Sequence, residues 1–212
     1  MRRRLIASVR TLALVASLVL AGSGTSSAID APPKPDGVLS VPSGEPRLAY
    51  DKWEWFEDTY WIVPRNGIYS VYQSAEDNTF TVLRGQTVFH ITDYFNGYFT
   101  GAVVVKLTSA LVPSCQFVLG QVTPEGSVYM TMFDAETGEV VNTPLGSMVK
   151  KNGQWTMVNQ MTSPAAGGTL SHWAYMLQSR PGDRTFESLP FAHESIPEFL
   201  SACPDGPEIR VP

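Results

Sequence analysis

The residues able to do chemistry in this 212-residue chain are three histidines, two cysteines and a dense set of aromatics. His90 and His172 each sit inside an apolar run of the kind that forms a strand; His193 precedes a helix signal. Two strand histidines meeting across a sheet could form a general acid–base pair or supply two ligands to a metal. Zinc would need a third ligand, from Asp93, Glu125 or His193, and nothing in the spacing demands one. No catalytic or metal-binding residue is therefore assigned. The blander role for these histidines is hydrogen bonding within a sheet.

Aromatics give the histidines a sharper reading. His90 shares a strand with Tyr94, and Phe99 follows across a turn, so one imidazole could be the lone polar contact of an aromatic pocket. Ser171-His172-Trp173 offers the same mix near the end of the chain, and Trp155 lies in a second hairpin. The candidate ligand-binding residues are thus His90, Tyr94, Phe99, Trp155, His172 and Trp173, for a small hydrophobic or sugar ligand. The competing expectation is that these aromatics are ordinary core. The chain has no Gly-x-Ser-x-Gly, no phosphate-binding glycine loop and no His-Glu-x-x-His, and no cofactor is implied.

Cys115 and Cys203 are the only cysteines. An even count in an exported chain predicts one disulfide. It would close a loop of nearly 90 residues, worth roughly 4–5 kcal/mol on the chain-entropy estimate. Export is expected from the N-terminus. Arg2, Arg3, Arg4 and Arg10 precede and flank an apolar run, Thr11 to Ala21, and Ser26 and Ala28 suit a signal peptidase. Cleavage after Ala28 would place the mature protein in a bacterial periplasm or outside the cell. It would remove four of 15 basic residues and none of 20 acidic ones, leaving a net charge of about −9. With no basic cluster, nucleic acid is not a partner. No later stretch is apolar enough to span a bilayer as a helix.

The elements that position these residues read as strands. The longest signal is Gly85 to Leu107, with Asn96-Gly97 as a two-residue type I′ turn. Its ideal register sets His90 opposite Val103 and puts His90, Tyr94 and Phe99 on one face. Neither face is properly polar, unlike a strand with one wet side. The hairpin is then central in a closed or layered structure, or one face meets a ligand, a partner or another segment of the chain. Other strands are expected at Thr59–Val63, Ile68–Gln73, Phe80–Leu83, Gln116–Val122, Val128–Phe133, Glu139–Asn142, Ser147–Lys151, Gln154–Met161 and Leu170–Gln178. Asn152-Gly153 makes a second hairpin, with Lys150 facing Trp155. Pro164 to Thr169 reads as a flexible link. The aromatic stretch from Leu48 to Trp55 is expected to plug the end of a sheet. Ser195-Ile196-Pro197-Glu198 carries a capping signal for a short helix over 196–203.

These elements predict an all-β domain over 48–212, behind a signal peptide at 1–28 and an extended leader at 29–47. Sequential hairpins favour an antiparallel up-and-down β-barrel, with a β-sandwich as the alternative. In architecture the pattern resembles the ligand-holding barrels of the lipocalin and streptavidin kind, although none of their motif residues occurs in matching order. The functional expectation is an exported barrel holding a small molecule. One alternative is a structural or protein-interaction module of the envelope, with an envelope protein as partner. The other is a small barrel hydrolase, isomerase or lyase using His90 or His172.

Overall fold

The computed structural model describes residues 51–64, 67–108 and 113–203, with Gly206 and Arg210. All fall within one compact unit, Gly44–Pro212. The expected signal peptide, the leader and residues 48–50 of the aromatic stretch lie outside the described residues. Ten antiparallel strands follow a 3₁₀ helix at Asp51–Phe56: β1 (Thr59–Ile62), β2 (Ile68–Ser74), β3 (Phe80–Phe95), β4 (Tyr98–Leu107), β5 (Ser114–Val122), β6 (Ser127–Asp134), β7 (Val140–Asn142), β8 (Leu145–Lys151), β9 (Gln154–Ala165) and β10 (Gly168–Ser179). Two short helices follow among the described residues, α1 (Arg184–Glu187) and α2 (Ile196–Leu200).

From β2 to β6 each strand pairs with the next; β6 then pairs with β8, β8 with β9 and β9 with β10. The short β7 sits on β6 alone. β10 then pairs back onto both β1 and β2, so the antiparallel sheet closes in a ring. β1 and β2 both lie between β3 and β10. They act as one strand, interrupted between Ile62 and Ile68.

Turn chemistry sets the register. Asn96 and Gly97 have φ of 47° and 90°, and Asn152 and Gly153 have 51° and 82°. These are the positive angles that a type I′ turn requires, and asparagine and glycine adopt them with least strain. In the second hairpin Lys150 lies opposite Trp155, with its ammonium 5.5 Å from the ring centre.

The first hairpin departs from its ideal register. Next to the turn Tyr94 pairs with Phe99 and Asp93 with Thr100, but beyond the bulge Ile91 pairs with Gly101 and His90 with Ala102. Thr92 is the extra residue, and an extra residue rotates everything beyond it to the other face. Tyr94 and Phe99 therefore point inward with Phe89 and Ile91, while His90 points outward with Val88. His90 does not face Val103, and it does not share a pocket with Tyr94 and Phe99.

The ring interior is packed by Trp61, Phe89, Ile91, Phe99, Val103, Val118, Met132, Met157 and Met176. Trp53 and Phe56 of the 3₁₀ helix join them, each fully buried, so the aromatic stretch does plug one end. Trp53 Nε1 donates to the Thr123 carbonyl at 2.9 Å, and Lys52 Nζ to the Pro124 carbonyl at 2.9 Å. The plug is thereby tied to the β5–β6 turn.

A second cluster lies outside the ring. Ile62, Val88 and Val104 are covered by Phe186, Leu189, Ile196 and Phe199 of the C-terminal segment. Each such side chain contributes about 1.5–3 kcal/mol when fully buried. The two-faced hairpin is thus explained: one face is ring interior and the other is roofed by the chain's own tail. Gln86, fully buried, accepts a hydrogen bond from the Phe191 amide at 3.1 Å, and the Cys115–Cys203 disulfide fastens the tail to β5.

Other expectations change in detail. Arg84-Gly85 does not break the strand, because Gly85 is where the backbone of Lys106 and Leu107 comes too close for a side chain. Pro164 to Thr169 is not a flexible link. β9 runs on to Ala165, which pairs with Gly168 across a tight Ala166-Gly167 turn. Pro164 is tolerated at an exposed position near the strand end. Helix α2 is capped as expected, with the Ser195 hydroxyl accepting from the Glu198 amide at 3.3 Å, but it ends at Leu200 instead of 203.

Candidate functional site in the ring interior

Alternation along β10 places His172 inside. Ala174 and Met176 belong to the inner core, and His172 is next on the same face. It lies opposite Ser70 of β2 and Met161 of β9. Burial pushes its pKa down to about 4, so the ring is neutral at physiological pH. Its Nδ1 is buried and has no hydrogen-bond partner among the described residues.

Four other inward side chains share this property. Asn159 is inner because it pairs with Ala174 and Gly146, and only 4% of it is exposed. Its nitrogen lies 3.6 Å from Met176 Sδ while Oδ1 is unpartnered. Thr87, at 3% exposure, stands opposite Val105 with an unpartnered Oγ1. Gln116 Oε1 and Asn142 Oδ1 are also buried and unpartnered. Gln116 pairs with Val103, and Asn142 with Met132, both inner core positions.

These five groups come from β3, β5, β7, β9 and β10. The plug end of the ring is sealed by aromatics. Toward the opposite end the inward residues Tyr72, Leu83, Leu107, Met161 and Leu170 are only half buried. The half of the ring interior beyond the aromatic floor, the cup, is therefore lined in part by polar groups and is half buried at its rim. The five groups are a hydroxyl, three amides and a neutral imidazole, each able to exchange hydrogen bonds without a formal charge. Such a wall suits an uncharged molecule that hydrogen-bonds on several sides and disfavours an ion, whose desolvation it would not repay. Among the described residues, no three His, Cys, Asp or Glu side chains are grouped so as to hold a metal ion.

The structure does not gather the six residues singled out by sequence. His172 lies in the cup. Tyr94 and Phe99 pack at the plug end, where Phe56 lies 6.5 and 5.3 Å from their ring centres. Trp155 also belongs to the plug, edge-on to Trp53 at 5.0 Å. Trp173 is on the outer surface, 68% exposed. His90 is outside as well, its Nε2 3.1 Å from Asp58 Oδ1 and its ring stacked on Tyr60 at 4.1 Å. Burial, and then Asp58, raise the Tyr60 pKa. The nearby Thr59 and Ser179 hydroxyls are engaged elsewhere: Thr59 donates to the Phe56 carbonyl and accepts from Trp61 Nε1, and Ser179 pairs with Thr185.

The sequence did carry a signal for the missed wall residues. Gln116 interrupts an inward series continued by Val118, and Asn159 sits between Met157 and Met161. A polar residue in an apolar alternation marks a buried polar position, but only if the phase is known. Comparison with family models, with curated proteins and with solved structures gives no match.

Proposed function

We propose that the protein is an exported carrier or sensor that holds one small, uncharged, hydrogen-bonding molecule in the ring interior, and that the ring is a tilted barrel instead of two packed sheets. The barrel reading is supported by continuous pairing around the ring. It is also supported by the register, which drifts toward one end from strand to strand, as tilted strands require. The observation that carries the ligand reading is the set of five unpartnered inward groups. Left unmet, each would cost about 1–3 kcal/mol. Together that rivals the whole stability of an ordinary domain, about 5–15 kcal/mol. Water or a ligand meets such groups in folded proteins, and their number and spread over five strands suit a molecule larger than one water.

Native mass spectrometry of the protein purified from its own periplasm tests this. A non-covalent adduct lost on denaturation is expected. The bare mature chain, with water alone on Thr87, Asn159 and His172 in a high-resolution crystal structure, would overturn the reading. The same spectrum tests export through the expected cleavage after Ala28. A second reading, a protein-interaction module of the envelope, rests on its own observation: Phe80 and Val82 on β3 are 70% and 63% exposed. A co-purifying protein in place of a small molecule would favour it.

A further inference from the structure

The outer face of β2, β10, β9 and β8 carries a second site, on the side of the sheet away from the ring interior but bordered also by His172 and Asn159. Register places Ser171 opposite both Val71 and Thr162, Trp173 opposite Gln160, and Gln160 opposite Leu145. A groove of about 550 Å³ runs over Tyr69, Val71, Leu145, Gln160 and Trp173. A second, of about 350 Å³, shares Leu145, Gln160 and Trp173 with it. The two form one trough crossing four strands, with the Trp173 indole standing in it. Three strand spacings of about 4.8 Å make the trough ~14 Å long, more than one sugar ring.

The lining has a distinct chemistry. Among the described residues no Asp, Glu, Lys or Arg contributes to either groove, although the chain carries 35 such residues. Trp173 is the most exposed tryptophan among the described residues, at 68%, and Tyr69 is 50% exposed. Between and beside these rings stand hydroxyls and an amide: Thr162 Oγ1 and Ser171 Oγ lie 3.2 Å apart, and Gln160 is exposed. A protein docking face has a contiguous apolar centre with polar groups at its rim; here the Thr162 and Ser171 hydroxyls and the Gln160 amide lie in the middle, between Val71 at one end and Leu145 at the other. Nucleic acid and acidic polymers need cations, and none lines the trough among the described residues.

We propose that this trough binds a segment of a neutral polysaccharide, with one sugar ring stacked on Trp173 and its hydroxyls met by Gln160, Thr162 and Ser171. A sugar ring has an apolar face and a hydroxylated edge, and this surface offers a partner to each. An uncharged polymer also loses nothing to the negative charge of the mature chain.

Affinity electrophoresis of the full mature protein tests the proposal, in gels containing a soluble β-glucan, an α-glucan, a mannan or, as the acidic control, polygalacturonate. Retardation by at least one neutral polymer and not by the acidic one is expected. Trp173→Ala should weaken it about 30-fold or more, as a central aromatic contact does, and Gln160→Ala should weaken it several-fold. Both side chains are exposed, so thermal melts should stay close to the parent; if Trp173→Ala melts early, Gln160→Ala alone decides. Retardation by none of the neutral polymers, or retardation indifferent to the variants, would overturn the proposal. So would concentration-dependent dimerisation abolished by Trp173→Ala, which would make the trough a contact between copies. The Gln160 and Trp173 side chains alternate away from Asn159 and His172, so the mass of any interior ligand is a separate readout.

Discussion

His172 lies opposite Ser70 where β10 meets β2, and both side chains face the ring interior, Ser70 with only 1% of its surface exposed. The strand pair that closes the ring is thus also the one that buries an imidazole. Burial holds its pKa near 4, below the ordinary value of 6.5, with a consequence for stability. Between these two values the unfolded chain binds a proton that the folded chain refuses. Stability is therefore complete above about pH 6.5 and falls as the pH drops toward 4, by on the order of 3 kcal/mol. Urea unfolding at pH 7 and pH 4.5 should show this loss, and His172→Gln should remove most of it. A parent protein whose pH slope equals that of the variant would contradict the assignment.

Asn159 tests the cup from the other side. Asn159→Leu keeps the branched shape and removes a buried amide whose oxygen is unpartnered among the described residues, so the free protein should become more stable, by about 1 kcal/mol. The same change should abolish the non-covalent adduct in native mass spectra. A gain in stability together with an unchanged adduct would place the ligand elsewhere.

The disulfide joins residues 88 positions apart. Replacing both cysteines by serine should cost roughly 4–5 kcal/mol by the chain-entropy model. The tail should loosen first, because its anchor at Cys203 is gone, exposing Ile62, Val88 and Val104. Dye binding to apolar surface and a lowered unfolding midpoint in urea would report this. Equal midpoints for oxidised parent and double variant would show that the tail docks by packing alone.

Two tryptophans should behave oppositely on truncation. Trp53 is fully buried and donates to the Thr123 carbonyl. Trp53→Ala should cost about 3–5 kcal/mol and open the plug end of the ring. Trp173→Ala should change stability by no more than about 0.5 kcal/mol, since the side chain is mostly in solvent. Chemical denaturation of the two variants side by side checks the contrast.

Much of this fold is written locally. Asn96-Gly97 and Asn152-Gly153 specify their turns because the required positive angles are cheap for those residues, and alternation then marks the flanking strands. The Ser195 cap and the pairing of Cys115 with Cys203 are legible for similar reasons: one is a local hydrogen bond, the other the only partner available. The aromatic plug was readable as a crowd of rings too dense to remain in water.

What sequence alone left open depended on contacts between distant segments. Thr92 looks like any strand residue, yet as a bulge it turns His90 outward to Asp58 and Tyr60 and leaves Tyr94 and Phe99 inside. Only the pairing of β3 with β4 decides that, because one extra residue inverts every side chain beyond it. The outer face of the hairpin is dry because Phe186, Ile196 and Phe199, about a hundred residues on, fold over it. Likewise Thr87, Gln116, Asn142, Asn159 and His172 are scattered in sequence. They share one wall only once β10 pairs with β2, since closure gives every strand an inside and an outside.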